Sequence, residues 1–382
     1  MISQKFKQTE IGKIPTDWEE KKLGNYLKLN YGKSLPETER KFGKVPVFGS
    51  NGITGFHNNF LVKGPGIIVG RKGSVGEIKF SKDNFWPIDT TYYLTKEDTE
   101  LDLTFLYYKL LTLGINKMNS HAAVPGLNRE DVYIIDTEFP PLSEQISIAK
   151  ILSSLDEKIE LNNKMNKILE EIGQTIFKKW FIKERKEEWK EGFLGDNILT
   201  EILGSGIKEF PEEKIYIATA DVNNSDIINY NTKITFDNRP SRANMQPIMN
   251  SIWFAKMKDS KKVFLIDESK MFEIKNLIFS TGFTGLKVKP EALYYIWNYI
   301  NNSSFEDMKD NLSIGTTMQG VNNDLIKKIK IIIPDQEILK KFNNLVKNIY
   351  LKISINNQHS QTLSFLRDVL LPKLMSGEIR VK

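Results

Sequence analysis

Residues Ser143–Ile182, SEQISIAKILSSLDEKIELNNKMNKILEEIGQTIFKKWFI, limit what this chain can fold into more than any other stretch. Ile148, Leu152, Leu155, Ile159, Leu169, Ile176 and Trp180 recur at steps of four and three or multiples of them. That spacing predicts one helix with a continuous apolar seam, the pattern of a coiled coil. No proline interrupts it, and its single glycine, Gly173, weakens a helix without breaking it. At ~1.5 Å per residue such a rod is ~60 Å long, too long for one small domain, and its seam requires a partner helix.

The partner is expected within the same chain. EILKKFNNLVKNIYLKISINNQHSQTLSFLRDVLLPKLMSGEI carries the same seam in Phe342, Val346, Ile349, Ile353, Leu363, Leu370 and Leu374. The two stretches align at a constant offset that places Asn162 on Asn356 and Leu169 on Leu363, as an internal repeat does. An asparagine in a coiled-coil seam costs stability and fixes register. The repeat extends upstream, setting Gly126 on Gly320, Asn128 on Asn322 and Pro140 on Pro334.

The expected fold is α+β: two mostly-β globular domains separated by two long helices that form an antiparallel coiled coil, with a pseudo-two-fold internal repeat. The boundaries read as a first globular domain over 1–142, a central helix over 143–185, a second globular domain over 186–333 and a C-terminal helix over 334–382. Short apolar runs broken by Gly and Pro, such as KVPVFG and GPGIIVGRKGSVGEIKF in the first half and SIWFAKM and NLIFSTGFTGLKVKP in the second, predict strands and turns. LDLTFLYYKLLTLGI and PEALYYIWNYINN predict matching helices, and KERKEEWKEGFLGD reads as a charged, solvated connector.

Motifs for autonomous chemistry are missing. GPGIIVGRKGSVG is neither a P-loop nor a dinucleotide fingerprint, and is expected to turn Arg71, Lys72 and Ser74 toward a surface. FPPL at Phe139–Leu142 lacks the polar first and aromatic last residue of an amino-methyltransferase motif, and no glycine-rich S-adenosylmethionine motif occurs. PDQEILKK has the wrong spacing for a nuclease site, and Asp335 is expected to cap a helix. The chain has no Cys, and His57, His121 and His359 lack metal-ligand spacing. No catalytic, cofactor-binding or metal-binding residues are therefore expected. The absence of Cys suits a reducing cytoplasm, and no signal peptide or membrane helix is expected.

What remains is a binding architecture. The net charge of +6 over 382 residues fits a polyanion partner without requiring one. Loops of the first half carry Lys33, Asn51, His57, Asn58, Arg71, Lys72, Ser74 and Arg129. Loops of the second carry Lys208, Arg239, Ser241, Arg242, Asn244, Lys256, Lys258, Thr316, Thr317 and Gln319. Arg and Lys suit phosphates and guanine edges, and Asn and Gln suit adenine edges. Taken singly, each is ordinary solvated surface; the expectation of DNA contact rests on the set.

IGKIPTDWEEKKLG, VPGLNREDV, PPLSEQISIAKIL leading into LDEKIELNN, LNNKMNKILEE…FKKWF and LLPKLMSGEI resemble the specificity subunit of type I restriction-modification systems over essentially the whole length. PDQEIL in place of a second PPLSEQ departs from the pattern. The resemblance implies two target recognition domains, each reading half of a bipartite, asymmetric site on double-stranded DNA, with the helices as spacer. It implies docking of two modification subunits that methylate adenine, and of restriction subunits. S-adenosylmethionine, ATP and magnesium would sit on those partners and not on this chain. The docking surface is expected near Phe177, Trp180 and Phe181 and near Leu371 and Leu374, unless these pack on the chain's own globular halves. Two other readings remain: a degenerate coiled-coil scaffold without DNA specificity, and a nuclease acting alone.

Overall fold

The computed structural model describes residues 5–118, 126–315 and 319–381. Thr316, Thr317 and His121 lie outside them. The chain forms two compact units, Met1–Leu161 with His359–Lys382, and Asn162–Gln358. Each unit contains a globular part and segments of both long helices.

In the first unit β1 (Glu19–Lys22) pairs antiparallel with β9 (Asp136–Phe139). Between them run β2 (Asn30–Tyr31), β3 (Val45–Gly49), β4 (Gly52–His57), β5 (Gly66–Gly70), β6 (Ile78–Ser81), β7 (Trp86–Pro87) and β8 (Thr91–Thr95). The main sheet is antiparallel in the order β2-β8-β5-β6. Its inner strand, GIIVG, is buried throughout, which is why its sequence is a continuous apolar run without alternation. A second sheet has the order β4-β3-β7, with β3 antiparallel to β4 and parallel to β7. Helix α1 (Leu103–Thr112) packs on the main sheet. The short helix α2 (Arg129–Tyr133) is capped by the Asn128 side chain, which accepts from the Glu130 N–H.

The second unit repeats this plan. Strand β10 (Lys190–Phe193) pairs antiparallel with β19 (Lys330–Ile333). Between them lie β11 (Thr200–Ile202), β12 (Lys214–Ile217), β13 (Lys233–Ile234), β14 (Ala243–Met245), β15 (Ser251–Ala255), β16 (Val263–Ile266), β17 (Leu277–Ser280) and β18 (Phe283–Val288). The main sheet is antiparallel in the order β11-β18-β15-β16. The second sheet is β13-β12-β17-β14, with β12 again antiparallel to one neighbour and parallel to the other. Strand β14 is an addition without counterpart in the first unit. Helix α4 (Leu293–Ile300) matches α1 in order, and α5 (Asn323–Ile326) matches α2, with Asn322 capping it.

Two long helices, α3 (Leu142–Lys178) and α6 (Gln336–Met375), pair antiparallel within each unit, as the seam predicts. In the second unit the Asn162 amide donates to the Asn356 carbonyl oxygen at 3.4 Å, and Asn356 donates to Asn166 at 2.8 Å. All three are buried, so the polar layer is satisfied and works as a register lock. Further along, Tyr350 lies against Gly173, where an added Cβ would stand 2.5 Å from the phenol oxygen. Gly173 is thus required by close packing. The Tyr350 hydroxyl donates to Asn298 of α4. At the matching layer of the first unit Arg367 bonds Asp156 at 2.7 Å, and the Tyr108 hydroxyl of α1 donates to the same carboxylate.

The aromatic ends of the helices belong to the globular cores. Phe177 and Phe181 are buried with Phe342, Trp189 and Tyr295, Trp180 packs against the same cluster, and in the first unit Leu374 is buried while Leu371 packs beside it. Of the two expectations for these residues, packing on the chain's own globular part is the one observed. The connector is not wholly solvated either: Trp189 is buried, and its indole donates to Asp335. The Asp335 carboxylate therefore holds Trp189; only its backbone carbonyl, accepting from the Leu339 N–H, serves the helix start. In the first unit the Trp18 indole donates to Glu144, which also binds Arg380. Buried Lys109 ties α1 to Glu138 of β9 and to the Met375 carbonyl.

Candidate nucleic-acid interface

In the first unit, strand β5 ends at Gly70 and the chain turns out of the sheet at Arg71. The backbone there is held on both sides. The Arg71 and Lys72 N–H groups both donate to the Thr90 carbonyl, and the Leu127 N–H donates to the Arg71 carbonyl at 2.8 Å. Lys72 forms a bridge with Gly126. The Ser50 hydroxyl reaches the same Thr90 carbonyl, which places Asn51 at this edge too.

An aromatic post stands among these cations. Tyr31 is 51% exposed, with the Arg71 guanidinium 4.9 Å and the Arg129 guanidinium 5.3 Å from its ring centre. Arg71 also lies 5.8 Å from the Tyr92 ring and donates to the Asp89 carbonyl at 3.1 Å. Tyr92 meets Tyr31 edge-on, and its hydroxyl donates to the Leu127 carbonyl. Burial pushes the Tyr92 phenol above its ordinary range, so it remains an uncharged donor. Cation–π contact and a carbonyl acceptor together hold an arginine in one orientation.

Of the sequence-predicted residues, the structure gathers Asn51, Arg71, Lys72 and Arg129 around this edge, with exposed Lys33 two residues beyond Tyr31. Half-buried Ser74 lies in the turn that follows, its carbonyl accepting from the Glu77 N–H. His57 does not belong to the interface. It is only 7% exposed, its Nδ1 accepts from the Lys41 N–H, and its ring packs on Trp86. Asn58 follows it at the end of the β3-β4 hairpin opposite Asn51.

The second unit uses the same anchor. The Val321 N–H donates to the Lys256 carbonyl at 2.9 Å, and the Lys256 N–H donates to the Gly282 carbonyl. Lys256 is thus the counterpart of Arg71, and Met257 is the counterpart of Lys72, bridging Gly320. The Lys258 N–H donates to the Gln319 carbonyl, and the Thr281 N–H donates to the Arg242 carbonyl. Asn244 follows on β14, and its carbonyl accepts from Gly206, two residues before exposed Lys208. Ser241 and Arg242 are exposed. Partial burial lowers the Lys256 ammonium from its ordinary value, and the Arg242 charge adds to this. Arg239 does not join them: its guanidinium stacks 4.0 Å from the Phe236 ring and bonds that residue's carbonyl.

Tyr31, Tyr92 and Asp89 carry the first edge and were not apparent in the sequence. The YY pair in FWPIDTTYYLT marks a strand, but nothing local says that β2 brings a third tyrosine beside it. Among the described residues no group of His, Cys, Asp and Glu is arranged to hold a metal ion, and no helix is long and apolar enough to cross a membrane.

The chain thus builds one sheet scaffold twice, on paired long helices, with a different polar edge on each copy. Residues 15–171 match the family model of the type I restriction-modification DNA specificity domain. The specificity subunit of the type I restriction enzyme MjaIX from Methanocaldococcus jannaschii is 25% identical, covering 99% of this chain and 97% of that protein. The HindI specificity subunit from Haemophilus influenzae is 23% identical over 67% of this chain and 71% of its own length. The crystal structure of a type I S subunit from M. genitalium shares the fold, with a TM-score of 0.63, 18% identity and coverage of 98% of this chain and 99% of that one. The chain is thus similar over nearly its whole length to specificity subunits of type I restriction enzymes, and its residues 15–171 match their DNA specificity domain.

Proposed function

We propose that this chain reads a bipartite, asymmetric site on double-stranded DNA, one half-site per unit, for a type I restriction-modification complex. The supporting observation is that two units of the same sheet order present different side chains at the same anchored backbone position, Arg71 in one and Lys256 in the other. A shared scaffold with divergent edges suits two different half-sites. Phosphate contacts would fall to exposed cations such as Lys33, Lys72, Lys208 and Arg242, and base contacts to the fixed polar groups, Arg71, Asn51 and Asn244 among them.

In this reading the chain itself is non-catalytic. Two modification subunits would bring S-adenosylmethionine and methylate adenine, and restriction subunits would bring ATP and magnesium. With Phe177, Phe181 and Leu374 buried, docking would use apolar side chains still exposed on the helices, such as Phe365 and Val369 in the first unit and Ile168 and Ile172 in the second. The scaffold reading gains no support from relatives that match the whole chain.

Methylation-aware sequencing of a host carrying the chain with its modification partner, against a host lacking the chain, tests the proposal. A split motif whose adenine methylation disappears with the chain is the expected result, and exchanging one globular part should change one half-site only. Methylation that is unchanged without the chain overturns the reading.

A further inference from the structure

We propose that Arg71 selects a guanine in the half-site read by the first unit, with Tyr31 and Asp89 as its positioning residues. This rests on the reading of the chain as a DNA recognition subunit and goes one step further, to a base and the side chain that reads it.

A phosphate contact needs charge within reach and tolerates a mobile side chain; a base contact needs a donor pair held in a plane. Lys33 and Lys72 are exposed and suit the first task. Arg129 is tied to Glu130 at 3.2 Å, at the Asn128-capped start of α2. Arg71 alone among the cations of this edge is fixed at every level. Its N–H and carbonyl are both hydrogen-bonded, its guanidinium lies against Tyr31 and Tyr92, and Nη1 donates to the Asp89 carbonyl. The Asp89 carbonyl occupies one end of the guanidinium, and the remaining N–H groups have no partner among the described residues. Two parallel N–H donors match the O6 and N7 acceptors of guanine, the commonest arginine contact in the major groove. Prior fixing lowers the ordering cost of forming that pair.

The second unit shows what the arrangement is without its supports. The strand register that places Tyr31 opposite Tyr92 places Gly204 beside Thr284, so the aromatic post is absent there. Space beyond Gly204 is open. Lys256 offers a point charge and no planar fork. The guanine contact is therefore confined to one half-site.

The test is the methylome of a host carrying the modification partner with the wild-type chain, Arg71→Lys or Arg71→Gln, with exchange of the first globular part identifying its half-site. The wild-type motif should contain a fixed G·C pair in that half-site. Arg71→Lys keeps the charge and should relax that one position by about 10- to 100-fold in preference, leaving the other half-site unchanged. Arg71→Gln should relax it likewise or shift it toward adenine. The proposal is overturned if the first half-site has no fixed G·C pair. It is also overturned if Arg71→Lys keeps the wild-type preference at every position, or if both variants lower methylation equally across all sequences, the signature of a phosphate contact. Should Arg71→Gln fail to assemble, Arg71→Lys decides the matter. A wild-type chain that confers no split motif removes the recognition reading itself, and the guanine contact with it, a result distinct from each of the others.

Discussion

Where β5 and β15 leave their sheets, the two units make the same pair of backbone hydrogen bonds around different side chains, Arg71 between two tyrosines and Lys256 beside Arg242. The long helices show the same relation. One layer holds the Asp156–Arg367 ion pair with Tyr108 in the first unit, and Tyr350 over Gly173 with Asn298 in the second. In both layers a hydroxyl links the globular part to the helix pair, but the tyrosine has changed sides, from α1 in one to α6 in the other. The backbone framework has been kept through duplication, while side chains have been free to change wherever another hydrogen bond served the same end.

The widest separation between the units should come from their cores. Phe342 is fully buried among Phe177, Phe181 and Trp180, whereas its counterpart at the helix-repeat offset is the aliphatic Ile148. Phe342→Ala should cost about 3–5 kcal/mol and Ile148→Ala about 2–5 kcal/mol. Hydrogen exchange followed by mass spectrometry should show Phe342→Ala lowering protection mainly in peptides of 162–358, and Ile148→Ala mainly in 5–161 and 359–381. Equal loss in both sets for either variant would show that the units do not unfold separately.

A smaller effect separates the two helix layers. Gly173→Ala gains up to ~1 kcal/mol in helix propensity, but its Cβ meets the Tyr350 phenol, and overpacking of this kind costs about 1–3 kcal/mol. Net destabilisation is expected, relieved in part by Tyr350→Phe in the same chain. In the first unit Arg367→Ala removes an ion pair whose side chains are each about 30% exposed, so solvent screening keeps the loss to ~1 kcal/mol or less. Denaturant midpoints that rank these two variants the other way would contradict the packing described for Gly173.

The helices and their repeat were legible because seam periodicity survives sequence drift and because Asn162 and Asn356 interrupt the seam at one shared position. In the globular halves the repeat was legible only at Gly126 and Gly320, Asn128 and Asn322, and the matching helices; the shared sheet order was not. A sheet order such as β2-β8-β5-β6 is set by which strands neighbour each other, and many unrelated apolar runs satisfy it. His57 looked like a loop side chain available to DNA; closure of its Nδ1 onto the Lys41 N–H is a nonlocal event that no spacing announces. For Phe177 and Phe181, periodicity gave the helix but could not decide between a docking surface for a modification subunit and the chain's own globular core, which is where both are buried.

Alkaline pH should weaken both layers, with a difference between them. Burial pushes the Tyr108 phenol far above its usual range and the Asp156 carboxylate pushes it further; burial does the same for Tyr350, with Asn298 opposing. A folded state that holds these protons more tightly than the unfolded chain has their full stabilisation below about pH 10 and loses it as pH rises beyond. Asp156→Asn should let the Tyr108 phenolate form at lower pH while leaving Tyr350 unchanged, measured by phenolate absorbance against Tyr108→Phe and Tyr350→Phe controls.

The smallest expected effect concerns Lys72 and its counterpart Met257, both exposed beside a bridged glycine, Gly126 in one unit and Gly320 in the other. If each edge faces the DNA backbone at this position, the first unit neutralises a phosphate there and the second does not. Each phosphate neutralised adds about 0.9 to the magnitude of the slope of log affinity against log salt. For the complex with its modification partner, Lys72→Met should therefore reduce that slope by about one, and Met257→Lys should raise it by about one, with sequence preference unchanged in both. Because the two substitutions exchange only what the units carry at one shared backbone position, opposite and equal shifts would establish that the edges face DNA alike. A shift from Lys72→Met alone would mean that only the first unit presents this corner to the backbone. No shift from either would place the phosphate contacts on other cations, Lys33 and Arg242 first among them.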